Sequence, residues 1–258
     1  MKKFLVLVAA VCMAYTTAFA QTVKPFKEGD RAVFLGNSIT DGGRYHSFIW
    51  LYYMTRFPNM PIRVFNGGIG GDTAYDMNKR LDGDIFSKNP TVLMVTFGMN
   101  DSGYYEYNGD NAKEFGEQKY QESIKNFQQM EKRFKELPHT RIVMTGTSPY
   151  DETAQIKDNT VFKKKNETIK RIIEYQRESA ARNGWEFTDW NAPMVAINQE
   201  LQQKDPSFTL CGNDRIHPDN DGHMVMAYLF LKAQGLAGKL VADIRIDGAG
   251  KKVTRSDN

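Results

Sequence analysis

Cysteine is nearly absent from this chain of 258 residues. The chain contains only Cys12 and Cys211, and Cys12 falls within an apolar N-terminal segment that we expect to be removed. The remaining chain would then keep one cysteine and could not form an internal disulfide bond. Large secreted domains of eukaryotes more often carry such bonds. If the chain is exported, the scarcity of cysteine therefore favours a bacterial protein.

Residues 1–20 have the order of features that is typical of an export signal. A pair of lysines comes first, an apolar stretch follows, and the segment closes on the small residues of Ala-Phe-Ala. This order predicts a signal peptide that is cleaved after Ala20. Lipid attachment at Cys12 is a weaker alternative, because Val11 before it is bulky. We therefore predict a secreted or periplasmic bacterial protein.

A large excess of charge of either sign is also missing. The chain has 34 Lys and Arg against 31 Asp and Glu, a formal net charge of +3, and removal of Lys2 and Lys3 with the signal leaves +1. So small a charge gives no reason to expect a nucleic-acid partner. After the signal, no run is long and apolar enough for a transmembrane segment. About 240 mature residues suffice for one sizeable core.

Short apolar runs alternate with longer helix-like stretches along the mature chain. Each run is followed by Gly, Asn, Asp or Ser, which is typical of a buried strand that ends in a turn. The predicted strands are 32–35, 62–65, 92–97, 142–145 and 186–190. The predicted helices are 45–57, 120–137, 166–184 and 217–235. Alternation of this kind predicts an α/β fold, a three-layer α/β/α sandwich with a five-stranded parallel, doubly wound, flavodoxin-like sheet.

Two segments interrupt this alternation. Residues 102–118 form an insertion rich in Tyr and Gly, and 241–258 have the pattern of a strand followed by turn signals. We assign 21–240 to one domain and 241–258 to a C-terminal strand or the start of a further region. Because the insertion follows a strand end, Tyr104, Tyr105 and Tyr107 are candidates to offer aromatic faces to a substrate. A surface loop that packs its own tyrosines is an equally good interpretation.

Polar residues of complementary chemistry follow four of the apolar runs. They occur in the sequences "GNSIT", "NGGIGGDT", "GMND" and "DRIHP", which begin at residues 36, 66, 98 and 214. Ligands bind outside the carboxyl ends of parallel strands, so these segments should share one site. Together they offer a hydroxyl nucleophile, backbone N–H groups, an amide donor and a histidine with a nearby carboxylate. Those groups are the ones that acyl transfer requires.

In these four blocks the chain resembles the SGNH hydrolase superfamily, also called the GDSL-like lipase/acylhydrolase family. The blocks occur in the family's order and cover nearly the whole mature chain, from 32 to 234. Each block alone is weak evidence for the family, but four blocks in order at successive strand ends are specific evidence for it. The resemblance implies a carboxylic ester hydrolase of the serine type.

The resemblance also implies a role for individual residues. Ser38 would be the nucleophile, His217 the general base and then acid, and Asp214 the group that orients the imidazole. The oxyanion hole would consist of the backbone N–H of Ser38, the backbone N–H of Gly71 and the side-chain amide of Asn100. Gly70 is the nearest alternative to Gly71.

One residue departs from the family pattern. Asn37 stands where the family usually has Asp, at a position that braces the serine loop and is not part of the triad. Asn keeps one acceptor and adds a donor. We expect an active enzyme with altered bracing, and a weakened activity is the alternative. Asn37, Asp72, Tyr104 and Tyr105 are the predicted substrate-binding residues.

Two other kinds of site are less consistent with the sequence. The residues Asp214, His217, Asp219, Asp221 and His223 form an acidic and histidine-rich cluster that invites comparison with a two-metal phosphoesterase. However, the spacing does not match a calcium loop. The glycines after residue 66 lack the third glycine of a dinucleotide fingerprint. We predict neither a metal nor a cofactor.

The substrate class is the least determined feature. The polar, Tyr-rich insertion and the lack of an apolar lid near the motifs favour short acyl groups, above all acetyl, on carbohydrate. The expected partner is thus a small acyl ester or an acetylated glycan. A lysophospholipase or thioesterase, and a carbohydrate-binding module without activity, remain alternatives. The sequence leaves the oligomeric state open.

Overall fold

A computed structural model describes residues 22–157 and 159–238, together with the backbone of 242–247 and 252–257. The predicted signal peptide lies outside the described residues. Within the described part of the chain, every helix is too short or too polar to cross a bilayer.

Five parallel strands form the central sheet. They are β1 (Arg31–Gly36), β2 (Arg63–Gly68), β3 (Val92–Val95), β4 (Arg141–Gly146) and β5 (Glu186–Asp189). Their order across the sheet is β2-β1-β3-β4-β5. Ala32 of β1 pairs with Val64 on one side and Val92 on the other. This architecture confirms the predicted five-stranded, doubly wound fold, and the order reverses at β1, where such folds place their ligands.

Seven α-helices connect or flank the strands. They are α1 (Ser38–Asp41), α2 (Arg44–Arg56), α3 (Ala74–Lys79), α4 (Ala112–Phe134), α5 (Lys165–Asn183), α6 (Asn191–Gln202) and α7 (Asn220–Ala233). A π-helical turn (Leu81–Ile85) and 3₁₀ turns at Phe86–Lys88 and Tyr105–Asn108 complete the described helical segments.

Both faces of the sheet are buried because the strand side chains alternate between two cores. Ala32 and Phe34 pack with buried residues of α2 and α7, whereas Val33 and Leu35 pack with residues of α3, α4 and α5. Successive residues of a strand point to opposite faces, so a strand that is apolar throughout supplies both cores.

The structure differs from the predicted elements in several places, and the short helices α1 and α3 are among the elements that were not predicted. The helix predicted over 120–137 begins at Ala112, so the last seven of the 17 residues of the expected insertion are helical. Helix α6 was missed, and the Asp189 carboxylate starts it by accepting the backbone N–H of Asn191 at 2.8 Å. Residues 242–247 and 252–257 form an antiparallel pair of strands, where one strand and turns were predicted.

Helix α1 lies against the end of β2 at a distance that only glycine permits. A Cβ on Gly68 would stand 2.2 Å from the backbone N of Asp41. Ser38 begins this helix, so the close contact between α1 and β2 also fixes the position of the serine.

We expect Gly68→Ala to lower the free energy of unfolding by about 2–3 kcal/mol, because the added methyl group overpacks a rigid backbone contact. Urea denaturation followed by circular dichroism would measure it. Gly83→Ala is the matched control, since Gly83 is exposed and a Cβ added there would meet no atom of the described residues within 4 Å. Stability equal to the wild type in Gly68→Ala would contradict the close contact.

Candidate active site

Ser38 lies in a sharp turn between β1 and α1. The preceding Asn37 is buried and extended, and its Oδ1 accepts the backbone N–H of Ile39 at 3.1 Å. Asn is a favoured helix N-cap for this reason. The cap leaves the Ser38 side chain free to point away from the sheet, and its Oγ lies 2.7 Å from His217 Nε2.

His217 and Asp214 are held by one short loop before α7. His217 Nδ1 is 2.6 Å from Asp214 Oδ2, and Asp214 Oδ1 accepts the backbone N–H groups of Ile216 and His217 at 2.9 Å each. Between them, Arg215 has a φ of 68° and a buried side chain that donates to the carbonyls of Asp151 and Ala154 at 3.1 and 2.7 Å. The buried guanidinium therefore ties this loop to the segment that follows β4.

The pKa values of this pair shift in opposite directions. The hydrogen bond from Asp214, with its negative charge, raises the pKa of His217 despite partial burial. Partial burial alone would raise the pKa of Asp214, but its hydrogen bonds with the His217 ring and two backbone N–H groups outweigh burial and lower it. Each group thus favours the charged form of the other. A carboxylate in this place also fixes which imidazole nitrogen faces Ser38.

Asn100 stands on the loop after β3, and its side-chain amide is hydrogen-bonded on both sides. Nδ2 donates to the Asp72 carbonyl at 2.9 Å, and Oδ1 accepts from the Tyr104 hydroxyl at 2.5 Å. The neighbouring Asp101 is buried and accepts the backbone N–H groups of Gly98 and Ala74, both at 2.9 Å. Burial raises the pKa of Asp101, against the effect of these bonds.

The glycine-rich loop after β2 passes beside the serine. A Cβ on Gly70 would stand 3.9 Å from Ser38 Cβ, and Gly71 has a φ of 85°. In the described part of the chain, the backbone N–H groups of Ser38, Gly70 and Gly71 donate to no protein acceptor. They remain available to an anion, and the geometry leaves both glycines open as donors.

Two of the predicted substrate-binding residues have hydrogen-bond partners within the scaffold. Asn37 is buried as a helix cap, and Asp72 Oδ2 accepts the Nε–H of Arg80 at 2.6 Å in a largely buried ion pair. Arg80 also donates to the carbonyls of Gly36 and Gly67 at 3.2 and 2.8 Å. Asn37 Oδ1 and Asp72 Oδ2 thus brace the strand ends, and contact of either side chain with a substrate stays a prediction.

The three tyrosines of the insertion have different surroundings, and Tyr107 is buried with its hydroxyl donating to the Ser102 carbonyl at 2.8 Å. Tyr104 is half-buried and bonded to Asn100, whereas Tyr105 is 79% exposed and its ring meets Phe162 edge-on at 5.4 Å. Tyr105 therefore presents its ring to solvent, one residue after the tyrosine that bonds Asn100.

The histidine and acidic cluster around α7 does not converge. Among the described residues, no group of three or more His, Cys, Asp and Glu side chains is arranged to hold a metal ion. His223 is buried and stacks on Tyr45, and burial lowers its pKa to about 4.

Sequence reasoning missed three cations that hold the site: Arg80, Lys165 and Arg215. Arg215 lies inside the "DRIHP" block, so its position could have drawn attention to it. Nothing in the local sequence marks Arg80 or Lys165, because their partners are backbone carbonyls of segments far away in the chain.

Residues 34–225 match the family model of the GDSL-like Lipase/Acylhydrolase family. The chain belongs to this family. It is therefore a carboxylic ester hydrolase, as the four blocks predicted, and the assignment to the SGNH superfamily is confirmed.

The chain is also similar to acetylxylan esterases. An acetylxylan esterase of Geobacillus stearothermophilus is 24% identical over 223 residues, which are 80% of this chain and 94% of the relative. The structure of Axe2, the acetylxylan esterase of that organism, has a TM-score of 0.64 at 24% identity and covers 81% of this chain and 95% of its own. At this identity the structural likeness shows the fold.

A second solved structure is far more similar in sequence. BT4096, described as a gut microbial diltiazem-metabolizing enzyme, is 94% identical with a TM-score of 0.90 over 92% of this chain. The chain spans only 54% of the length of BT4096.

The raised pKa of His217 predicts how activity depends on pH. A general base must be neutral, so kcat/KM should fall as the pH drops through the His217 pKa, at a midpoint above roughly 6.5, the value of an unperturbed histidine. Asp214→Asn removes the charge that raises this pKa. We expect it to move the acid limb to lower pH and to reduce kcat by about 10²-fold or more.

Asp219→Asn is the control for the pH profile, because Asp219 is exposed near His217 and its side chain makes no capping hydrogen bond. Asp219→Asn also removes one negative charge near His217, but it leaves the hydrogen bond between Asp214 and the imidazole in place. An acid limb at the same pH in Asp214→Asn and in the wild type would argue against the assignment of His217 as the titrating base.

Proposed function

We propose that the protein is an exported serine esterase that removes short acyl groups, chiefly acetyl, from carbohydrate hydroxyls. The observation that supports the chemistry is the hydrogen-bonded chain from Ser38 through His217 to Asp214, with distances of 2.7 and 2.6 Å. A nucleophile, a base and a group that orients the base are the minimum set for acyl transfer through a covalent intermediate.

The proposed reaction has two halves. His217 Nε2 takes the proton of Ser38 Oγ as the oxygen attacks the ester carbonyl, and returns it to the departing alcohol oxygen. Water then attacks the acyl-serine carbonyl while His217 takes a proton from the water; the acyl–Oγ bond breaks, His217 returns the proton to Ser38 Oγ, and the acid leaves. Asp214 stabilises the imidazolium that forms in each half. The oxyanion receives the N–H groups of Ser38, Gly71 and Asn100.

The surroundings of Ser38 favour a polar substrate. Ser38 and Asn100 are half-buried and Gly70 and Gly71 are exposed, and the exposed Tyr105 follows directly after Tyr104, the hydrogen-bond partner of Asn100. Aromatic faces of this kind stack on sugar rings. An apolar groove lies between α2 and α7, but neither Ser38 nor His217 is among the residues that line it. The acetylxylan esterase relatives support the same substrate class.

A panel of esters tests the proposed chemistry. We expect a chain that starts at Gln21 to hydrolyse p-nitrophenyl acetate and acetylated xylooligosaccharides, with slower turnover of the butyrate and little of the palmitate. Ser38→Ala should lower kcat by at least about 10³-fold, and a metal chelator should have no effect. Diltiazem belongs in the panel because BT4096, at 94% identity, is described as metabolizing it.

Ser47→Ala is the matched control, since Ser47 is an exposed serine of α2. Faster turnover of palmitate than of acetate would point to a lipase or lysophospholipase. Activity that survives Ser38→Ala and is lost with chelator would favour a metal-dependent hydrolase. Binding of the glycan without turnover would favour a carbohydrate-binding module.

Export through the N-terminal signal is the second part of the proposal. Expressed in a bacterial host with residues 1–20 present, the protein should reach the periplasm or medium, and its N-terminus by mass spectrometry should be Gln21. Cys12→Ser should leave this processing unchanged. Cleavage immediately before Cys12 that depends on the cysteine would instead identify a lipoprotein.

A further inference from the structure

A buried lysine supports the loop that carries Asn100. Lys165, at the start of α5, is 0% exposed, and its Nζ donates to the carbonyls of Met99 and Gly103 at 2.6 and 2.5 Å and to Ser102 Oγ at 2.6 Å. These three acceptors are uncharged. Burial lowers the pKa of Lys165 to about 7, although the charges of Asp101 and Glu152 oppose the shift. The bonds fix the backbone on both sides of Asn100.

Tyr104 lies between this lysine and Asn100. Lys165 Nζ is 3.8 Å from the centre of the Tyr104 ring, and Phe162 packs against the ring edge-on at 6.0 Å. The ring is thus held by two neighbours, and its hydroxyl meets Asn100 Oδ1. Burial, together with the charge of Asp214, raises the pKa of the Tyr104 phenol. The hydroxyl therefore keeps its proton and can donate it.

The two bonds of Asn100 determine how its amide is oriented. Tyr104 donates to Oδ1, and the Asp72 carbonyl accepts from Nδ2. A rotated amide would place its oxygen against the Asp72 carbonyl, and two acceptors would then face each other. One N–H of Nδ2 is used by Asp72, which leaves the second for a ligand.

We propose that Tyr104 is a positioning residue for the oxyanion hole: it fixes the orientation of the Asn100 amide and strengthens its free N–H as a donor. The inference rests on the proposed function, in which Asn100 binds the oxyanion. Donation to an amide oxygen draws charge from its nitrogen, so the remaining N–H becomes a better donor. The benefit arises only when negative charge develops on the substrate, so it affects kcat rather than ground-state binding.

This role differs from direct contact between Tyr104 and the substrate. A tyrosine that contacts the substrate would change KM, and its effect would be independent of Asn100. A tyrosine that acts through the amide has no effect once the amide is gone. The two roles therefore give different results in a double-mutant cycle.

The experiment compares the wild type with Tyr104→Phe, Asn100→Ala and the double variant on p-nitrophenyl acetate. Phenylalanine keeps the ring against Lys165 and Phe162. We expect Tyr104→Phe to lower kcat by about 5- to 15-fold with KM within 2-fold, and Asn100→Ala to lower kcat by about 10²- to 10³-fold. The double variant should match Asn100→Ala.

Tyr228→Phe, at a half-exposed tyrosine of α7, is the control and should behave as the wild type. Thermal melting and the fraction of Ser38 labelled at completion by a fluorophosphonate would confirm intact folding of each variant. Multiplied losses in the double variant, a raised KM, or unchanged kcat in Tyr104→Phe would overturn the positioning role. No loss in Asn100→Ala would instead reject the proposed oxyanion hole itself.

Discussion

Parallel pairing of β1 between β2 and β3 is the constraint on which the site depends. Parallel strands bring their carboxyl ends to the same edge of the sheet, and β1 is the strand from which the chain order runs outward in both directions. The loops that carry Ser38, Gly71 and Asn100 follow β1, β2 and β3, so the pairing of these three strands brings them together. His217 lies at the same edge of the sheet, on the loop before α7, with its Nε2 2.7 Å from Ser38 Oγ.

Buried ionisable side chains help to hold the loops at this edge in place. Arg80 joins the ends of β1 and β2, and Asp101 joins the β3 loop to α3. Lys165 binds two carbonyls of the loop that carries Asn100. Arg215 joins the loop that carries His217 to the carbonyls of Asp151 and Ala154. Burial of a charge costs free energy unless its hydrogen bonds are satisfied. Most partners of these four groups are backbone atoms, so the same bonds that satisfy the buried groups also make the loops rigid.

Rigid loops matter because the site must present its donors before charge develops on the substrate. Preorganised N–H groups stabilise an oxyanion without a cost of reorganisation at the moment of reaction. The positive φ of Gly71, the cap of Asn37 on α1 and the two-sided clamp on Asn100 all fix backbone or amide direction.

Much of the fold followed from the apolar pattern. Five runs alternating with helices predicted the parallel sheet, and the helix ends at Gly184 and near Gly235 agree with the structure. Helix α6 and the early start of α4 were missed because their onset depends on the Asp189 cap and on contacts with the Tyr-rich segment. A helix that is stabilised by tertiary contacts leaves a weak local signal.

The sequence by itself determined the family and the candidate residues Ser38, His217, Asp214 and Asn100, because the four sequence blocks that carry them can be read locally. Only the tertiary structure decided how the remaining polar residues are used. Asn37 and Asp72 bind within the scaffold, and Tyr104 binds Asn100. The physical reason is that a hydrogen-bond partner is set by three-dimensional packing, and residues such as Lys165 and Ser102 lie 63 positions apart in the chain.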